Sequence, residues 1–420
     1  MNHIKIKLNY INFCLSLVIP FLILGPFFSD LILSLSSLIF LIYVLKKKNF
    51  NYFNKKPLII FFIFCIYCIL LSIIIAKDTM LSLGTSLFYF RIGIFAIMIW
   101  YFIDQNKNIL NYFYYILVFS FLVLVIDAYF QYFSGSNILG WPALDHGRIS
   151  SFFGNELIMG SYLSRLSPFL LALLLFKETK KIELYFIGLL IILVSGLIYI
   201  SGERASFFFH ILSMLFIIIL TKKYLKFKLL IVFSVIILVT VLSLNNDMLK
   251  NRMLLIHEKI IGFKKYEEKK FIFTEAHDSL IRTAFNIFLD KPFFGHGPKM
   301  FRVICKDEKY AVGISPCNTH PHNFYIQLLA ETGIIGFSFL FSTFAYVLYC
   351  AYRQFKSMVL RQKRYLTDYQ VCLLAGILIT VWPLTTNGNF FHNWLMIVYS
   401  LPVGFYLHSI YGKNRKSITF

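Results

Sequence analysis

Apolar runs of about twenty residues, separated by short polar breaks, extend along most of the chain. A helix needs roughly 20 such residues to cross the ~30 Å hydrocarbon core of a membrane, so each run predicts one transmembrane helix. We place spans near residues 9–28, 31–45, 58–76, 82–102, 109–133, 156–176, 182–200, 207–220, 229–244, 323–351, 369–384 and 394–411. The prediction is an all-α polytopic bundle of about twelve spans.

This pattern divides one integral membrane domain into three consecutive parts. Spans one to nine lie in residues 1–244, a long loop covers residues 245–322, and spans ten to twelve lie in residues 323–420. The first span lacks the small-residue cleavage pattern of a signal peptide, so we interpret it as a retained anchor.

Composition supports the membrane interpretation. The 420 residues are 58% hydrophobic and 15% charged, whereas a soluble domain carries roughly 25% charged residues. The formal net charge of +21 raises the alternative of nucleic-acid binding. The positions of the basic residues decide between these two interpretations.

Lys and Arg residues are divided unequally between two alternating sets of loops. One set carries 23 of them, whereas the opposite short loops carry only Lys77, Arg148 and Arg204. The positive-inside rule places the basic set and both termini in the cytoplasm. Most of the excess charge is therefore explained by topology, and we predict no nucleic-acid partner.

The loop over residues 245–322 is predicted on the outer side. It holds 13 basic residues, 9 acidic residues and five histidines: His257, His277, His296, His320 and His322. Apolar residues at helical spacing predict a helix over 275–290, ended by Pro292, and the stretch 295–298 predicts a turn. Cys305 and Cys317 share this loop. They can form a disulfide in an oxidising compartment, which would contribute roughly 3 kcal/mol.

His322 directly precedes the apolar run that starts at Phe324. Thr319 is a candidate N-cap and Pro321 suits a first helical turn, so we predict His322 at the outer end of span ten. The positive end of a helix disfavours an imidazolium, and a neutral ring can serve as a general base. The alternative is an interfacial histidine that only caps the helix.

Several other charged residues fall where membrane anchoring does not expect them. Glu331 lies within span ten and should face the bundle interior or a wet cavity, as a structural or a functional group.

Arginines near the outer side or within spans are Arg91, Arg148, Arg165, Arg204 and Arg282. A guanidinium binds phosphate oxygens in a bidentate manner; pairing with Glu203 or lipid headgroups is the alternative for Arg204. We assign Gly333 and Gly336 to close helix packing.

Common catalytic motifs are absent from the sequence. It contains no D-x-D, Walker A, G-x-S-x-G or H-E-x-x-H string, each of which positions a metal, a phosphate or a nucleophile. His320 and His322 imply no third ligand by spacing, so we predict no metal site and no cofactor.

The string His322-Asn323, nine residues, Gly333, two residues, Gly336 resembles the signature H-[N/S/Q]-x9-G-x-x-[G/T/Y] of the O-antigen ligase family, which shares a superfamily with O-antigen polymerases. The segment that starts at Arg204 is similar to the family's R-x3-L, with Phe in place of Leu. Arg282 is similar to a second family arginine in the long loop, and the segment after Arg148 resembles an upstream outer-loop segment. The likeness covers the twelve-span topology, and its motifs lie between about residues 148 and 336.

The resemblance implies a GT-C-like, metal-independent and inverting glycosyltransferase in the bacterial inner membrane, with its active site facing the periplasm. A polysaccharide on undecaprenyl diphosphate would pass to a sugar hydroxyl of lipid A-core or another glycan, among membrane lipids. His322 would be the general base, and Arg204 and Arg282 would bind the diphosphate. Secondary candidates are Arg148, His320, Asn323, Glu331 and Arg91. A surface-polysaccharide polymerase with the same donor stays an alternative, as does a lipid-linked oligosaccharide flippase or transporter.

Overall fold

A computed structural model of the protein describes residues 2–144, 147–176, 180–247, 249–253 and 274–413. The helices are α1 (Asn2–Ser16), α2 (Val18–Phe21), α3 (Pro26–Lys47), α4 (Lys56–Ile74), α5 (Thr79–Ser86), α6 (Phe90–Gln105), α7 (Asn108–Ser134), α8 (Met159–Phe176), α9 (Lys181–Ile200), α10 (Arg204–Leu220), α11 (Leu225–Leu244), α12 (Glu275–Asp290), α13 (Phe301–Ile304), α14 (Phe324–Val359), α15 (Asp368–Thr380) and α16 (Asn393–Tyr411). Within the described ranges, β-structure is limited to two isolated bridges. The predicted all-α class is confirmed.

Nine helical segments in the described part of the chain are long and apolar enough to cross a membrane. One of them, Thr79–Gln105, combines α5 and α6. Three shorter apolar helices, Asn9–Phe21, α10 and α15, fall within the other predicted spans. The chain is thus a multi-pass helical membrane protein, while the count of twelve and the cytoplasmic termini stay predictions.

Two of the predicted spans are not single helices, because each contains a turn between two helices. The span 9–28 is not one helix, because the chain turns after α2 and Gly25, at φ +116°, precedes Pro26 at the start of α3. Proline suits this first position because the N–H that it lacks would be unpaired there. The span 82–102 consists of α5 and α6, joined by a turn at residues 87–89. In both places a turn lies inside an apolar run, where hydropathy alone does not detect it.

Burial differs sharply between the helices of the bundle. In α8, 78% of the apolar stretch is buried, and this helix packs against α10 and α15. Phe169 of α8 packs edge-on against Phe405 of α16, with ring centroids 4.7 Å apart. In α11 only 6% of the apolar stretch is buried, and the main packing partner of this helix is α9. Because exposed apolar residues on α11 are costly in water and compatible with hydrocarbon, this surface fits a lipid environment.

The tenth predicted span is interrupted by a break at Gly333 in α14. Gly333 adopts φ +64°, a conformation that glycine reaches at little cost. A Cβ at this position would collide with the backbone of Phe293 and Phe294. The assignment of Gly333 to helix–helix packing is therefore wrong in detail, since its neighbour is the turn after α12. Gly336 has no room for a Cβ because the Thr332 side chain occupies that space.

The backbone groups freed by this break are paired with that turn. His296 N donates to Ala330 O at 3.2 Å, Gly297 N to Glu331 O at 2.8 Å, and Ile334 N to Pro292 O at 2.8 Å. The Tyr67 hydroxyl of α4 donates to Thr332 O at 2.7 Å. Buried backbone groups need such partners, so the turn over residues 292–297 is part of the helix structure at this level.

The described part of the long loop forms a small folded unit over the start of α14. The predicted helix over 275–290 and the turn after Pro292 are confirmed as α12 and a turn with positive φ at Gly295 and Gly297. A separate cluster of buried apolar residues joins α12, α13 and α14. Cys305 and Cys317 are paired in a disulfide, with Cα atoms 5.0 Å apart. His257 and the rest of residues 254–273 lie outside the described residues.

Candidate functional site

His322 lies in the short segment between the disulfide and α14. The N-cap of α14 is Asn323, whose Oδ1 accepts from Tyr325 N at 3.0 Å and from Ile326 N at 3.2 Å. The predictions that Thr319 caps this helix and that Pro321 lies in its first turn are therefore wrong. Asn is among the strongest N-cap residues, and Asn323, four residues after Thr319, caps the helix. His322 precedes the cap in a left-handed conformation, φ +56°.

Three histidine rings meet at this point, and we call them the histidine cluster: His277, His320 and His322. The centroid of the His322 ring is 4.1 Å from that of His320 and 5.1 Å from that of His277. His277 comes from the first turn of α12, so the long loop folds over the start of α14. Thr274 Oγ1 lies 2.6 Å from His277 Nδ1, and Thr319 Oγ1 lies 2.9 Å from His320 Nδ1.

The histidine cluster is held in its neutral form. Burial, with a smaller contribution from His277, lowers the pKa of His322 to about 4. Burial followed by the charge of His322 lowers the pKa of His320 to about 3, and burial also lowers the pKa of His277. All three rings are thus uncharged at pH 7 and able to accept a proton.

The side chain of Asn318 indicates which nitrogen of His322 carries the lone pair. Asn318 Nδ2 lies 3.4 Å from His322 Nε2. An amide nitrogen only donates, so Nε2 accepts in this contact and the ring proton belongs on Nδ1. The Asn318 contact thereby makes Nε2 the acceptor nitrogen of the ring.

A second group of polar residues surrounds the turn between α9 and α10. Glu203 Oε1 accepts from Gly160 N at 2.7 Å, and Oε2 accepts from Ser161 N at 2.9 Å and from Ser206 Oγ at 2.8 Å. Burial raises the pKa of Glu203 to about 7, against these hydrogen bonds, which lower it. Both Glu203 oxygens accept hydrogen bonds from the start of α8 or from Ser206. The alternative ion pair between Arg204 and Glu203 is not found.

Three arginines converge on the same turn, and we call them the arginine cluster: Arg148, Arg204 and Arg252. Arg148 Nε donates to Ser201 O at 3.1 Å, and Arg252 Nε donates to Gly202 O at 3.1 Å. Arg204 Nε is buried with no hydrogen-bond partner among the described residues. Burial and then the positive charge of Arg252 lower the pKa of Arg148. Arg148, Arg204 and Arg252 repel one another, and mutually repelling cations at one turn favour the binding of an anion.

Buried Arg165 of α8 lies between His322 and Glu203 in a chain of hydrogen bonds. Its Nη2 donates to Asn387 Oδ1 at 3.2 Å, and its Nε lies 3.4 Å from Ser161 Oγ. Asn387 N donates to His322 O at 2.7 Å, and Ser161 N donates to Glu203. A continuous chain of hydrogen bonds therefore runs from His322 to the residue before Arg204, at one end of the bundle.

The arginine predicted in the long loop has a partner of its own. Arg282 Nε lies 2.6 Å from Asp278 Oδ2 one turn earlier in α12, and its side chain is 47% exposed. Arg302 of α13 instead has a buried Nε without a partner among the described residues, and its charge contributes to the lowered pKa of His320. The charge of Arg302 thus acts on His320, whereas that of Arg282 is paired with Asp278.

Two secondary candidates have structural contacts. Glu331 is fully buried, and its carboxylate accepts from Phe301 N at 3.2 Å and from Gln327 Nε2 at 3.0 Å. It therefore holds α13, the helix that carries Arg302. Arg91 makes a bidentate ion pair with Asp30, at 2.7 and 3.1 Å, which explains its place within an apolar helix. Among the described residues, no group of three or more His, Cys, Asp or Glu side chains is arranged so that it could hold a metal ion.

Sequence reasoning missed Arg252, Arg302, Asn318 and Asn387, and it did not connect His277 with His322. Arg252 and Arg302 are two of many basic residues in the long loop, and nothing in their spacing separates them from the rest. Asn387 had a detectable signal, because it lies in the polar stretch Thr385–Asn389 between two apolar runs.

Comparison with known proteins supports the resemblance. Residues 189–341 match the family model described as O-Antigen ligase, and this segment includes Arg204, Arg282 and His322. The teichuronic acid biosynthesis protein TuaE of Bacillus subtilis (strain 168) is 24% identical over 122 residues, which cover 29% of this chain and 25% of that protein. The resemblance to the O-antigen ligase family is thus confirmed over residues 189–341, and part of the chain is similar to a protein of teichuronic acid biosynthesis.

Proposed function

We propose that this chain, which carries the O-antigen ligase match over residues 189–341, is a membrane glycosyltransferase of the bacterial inner membrane. It moves a polysaccharide from undecaprenyl diphosphate to a sugar hydroxyl of lipid A-core at the periplasmic face. One observation carries the proposal: hydrogen bonds through Arg165 link neutral His322 to Glu203, which directly precedes Arg204 of the arginine cluster.

The reaction assigns a separate task to each cluster. The acceptor hydroxyl replaces Asn318 Nδ2 at His322 Nε2 and gives its proton to that nitrogen, while the hydroxyl oxygen attacks the anomeric carbon of the donor sugar. The bond from that carbon to the diphosphate oxygen breaks with its electron pair, and the configuration inverts. Arg204, with Arg148 and Arg252, stabilises the negative charge that develops on the departing lipid diphosphate. Proton, glycan and leaving group are thus accounted for without a metal ion.

The presence of the ligase product is the direct test. Mass analysis of lipid A-core from cells with and without an intact copy of the gene should show glycan-bearing lipid A-core only in the first. Loss of long glycan chains on undecaprenyl diphosphate, with lipid A-core unchanged, would favour a polymerase instead.

A surface-polysaccharide polymerase is the second candidate, because one relative is named for teichuronic acid biosynthesis. The donor, the base and the diphosphate-binding arginines would be the same, and a second lipid-linked glycan would replace lipid A-core as acceptor. A flippase is the alternative from another class. Reconstituted vesicles that move the lipid-linked glycan across the bilayer without a new glycosidic bond would support it.

Variants of the two loop arginines should separate their roles. Arg302 Nε, which has no partner among the described residues, can donate to a substrate oxygen near His320. We expect Arg302→Gln to lower kcat/KM about 10- to 100-fold, since a hydrogen bond to a charged group contributes roughly 1.5–3 kcal/mol. Arg282→Gln should lower it by less than about fivefold, because an exposed ion pair contributes roughly 0–1 kcal/mol. Transfer assays with both purified variants measure this difference. The reverse order would assign diphosphate binding to Arg282, as the family resemblance implies.

The pH–rate profile should reflect the lowered pKa of His322. The neutral ring is the active form, and its pKa is about 4. We therefore expect kcat/KM to stay constant from pH 7 to about 5 and to fall below that with a midpoint near 4, not near the usual value of about 6.5. In His277→Asn the midpoint should move upward, because His277 contributes to the lowered pKa of His322. A wild-type midpoint at or above pH 6 would contradict this assignment.

A further inference from the structure

A cavity of about 400 Å³ lies between α8, α9, α10 and α11, away from both clusters. Its walls are almost entirely apolar, with Leu171, Ile191, Ile217, Phe227 and Val235 among the lining residues. Its volume is in the range of ligand pockets, which is about 300–1,000 Å³. One wall is α11, the least buried of the long apolar helices, so the cavity lies at the lipid-facing side of the bundle.

The cavity has one cationic end. Lys223 and Lys228 line it where α10 ends and α11 begins. Lys228 Nζ donates to Thr221 O at 3.0 Å and to Thr221 Oγ1 at 2.6 Å, two neutral acceptors that hold the ammonium in place. The Lys223 side chain makes no ion pair in the described ranges of the chain. The Asp368 carboxylate accepts from Lys223 N at 3.4 Å and is paired with the Arg364 side chain.

We propose that this cavity binds an anionic phospholipid from the leaflet at the lysine-rich ends of the helices. Its phosphate lies at Lys223 and Lys228, and one acyl chain extends between α9, α10 and α11. Basic pockets between transmembrane helices bind anionic lipid headgroups in this way, and the apolar walls match an acyl chain.

The tail of the glycan donor is the competing occupant, and the geometry disfavours it. The donor diphosphate would be held at Arg204, the first residue of α10, whereas Lys223 follows the last residue, Leu220. A helix of 17 residues is about 25 Å long at roughly 1.5 Å per residue. The donor diphosphate and the phosphate at Lys223 therefore lie at opposite ends of α10. This argument against the donor rests on the proposed function, whereas the lysines and apolar walls that define the phospholipid site do not.

The test is lipid binding to the purified full chain in detergent, followed by native mass spectrometry. We expect phosphatidylglycerol to bind more tightly than phosphatidylcholine with the same acyl chains. Each lysine near the headgroup contributes about fivefold, so Lys223→Gln/Lys228→Gln should raise the dissociation constant for phosphatidylglycerol roughly 25-fold. The matched control is Lys222→Gln/Lys226→Gln, which makes the same charge change at exposed positions that do not line the cavity; it should change the constant less than about fivefold.

A second pair of variants tests the apolar part. Val235→Trp fills the cavity and should abolish phosphatidylglycerol binding, whereas Ile237→Trp, on the exposed side of α11, should leave it unchanged. If Lys228→Gln disturbs the Thr221 contact and the fold, Lys223→Gln alone should still weaken binding about fivefold. Equal binding of both lipids, equal loss in both lysine pairs, or displacement of phosphatidylglycerol by a polyprenyl phosphate would overturn the proposal.

Discussion

Purified His322→Ala is expected to transfer glycan about 10²–10⁴ times more slowly than the wild type, the usual cost of losing a general base. The acceptor hydroxyl then has no group to take its proton as the new glycosidic bond forms. Asn323 still caps α14 through Tyr325 N and Ile326 N, so the variant should insert and keep its unfolding temperature. Single-turnover transfer from a lipid-linked donor measures the rate.

The neighbouring ring supplies the matched control. His320 is also buried and neutral, but its Nδ1 lies against Thr319 Oγ1 at 2.9 Å. We expect His320→Asn to lower the rate by less than about tenfold, a smaller loss than general-base removal. Full activity in His322→Ala, or the larger loss in His320→Asn, would reject His322 as the base.

Arg204→Lys should lower kcat by about 10²–10³, similar to the removal of one preorganised donor that stabilises developing charge. The substitution keeps the positive charge, but an ammonium cannot hold two phosphate oxygens in the planar, bidentate manner of a guanidinium. Within the described residues, Arg204 Nε has no hydrogen-bond partner and the side chain makes no ion pair, so the change breaks neither there. The loss should therefore appear in transfer assays and not in the unfolding temperature.

Arg91→Lys is the control for this effect. Arg91 is also an arginine at the start of an apolar helix, but its guanidinium is satisfied by Asp30. We expect its activity to be close to wild type, with a lower unfolding temperature. If Arg204→Lys ligates as fast as Arg91→Lys, Arg204 is a headgroup contact and does not bind the leaving group.

Local signals in the sequence predicted the elements that depend on local chemistry. The apolar period and Pro292 were sufficient for α12, and the cysteines twelve positions apart were sufficient to suggest a disulfide. The cap of α14 was misplaced because Thr319 and Asn323 both suit the role, and only the path of residues 318–323 decides between them. The interruption at Gly333 depends on the turn that packs against it, which the sequence of α14 does not contain.

The candidate site was predicted in part, for the same reason. His322 and Arg204 were identified from short motifs, and each motif lies within one element. The contact between His277 and His322 joins residues 45 positions apart, with the undescribed segment 254–273 preceding α12. Arg302 is positioned by the carboxylate of Glu331 through Phe301 N. Such contacts depend on how separate elements pack, so the spacing of residues within one segment cannot predict them.

The pairing of residues 292–297 with the break in α14 has a consequence for the order of biogenesis. A chain is synthesised from its N-terminus, so this turn has left the ribosome before residues 330–334 follow it. The N–H groups of His296 and Gly297 are therefore already present when α14 is inserted, and they can donate to the carbonyls of Ala330 and Glu331. In a permuted chain with this turn after α14, the same carbonyls would enter the membrane unpaired, at several kcal/mol each. We therefore expect the present order of loop and helix to be a requirement of assembly.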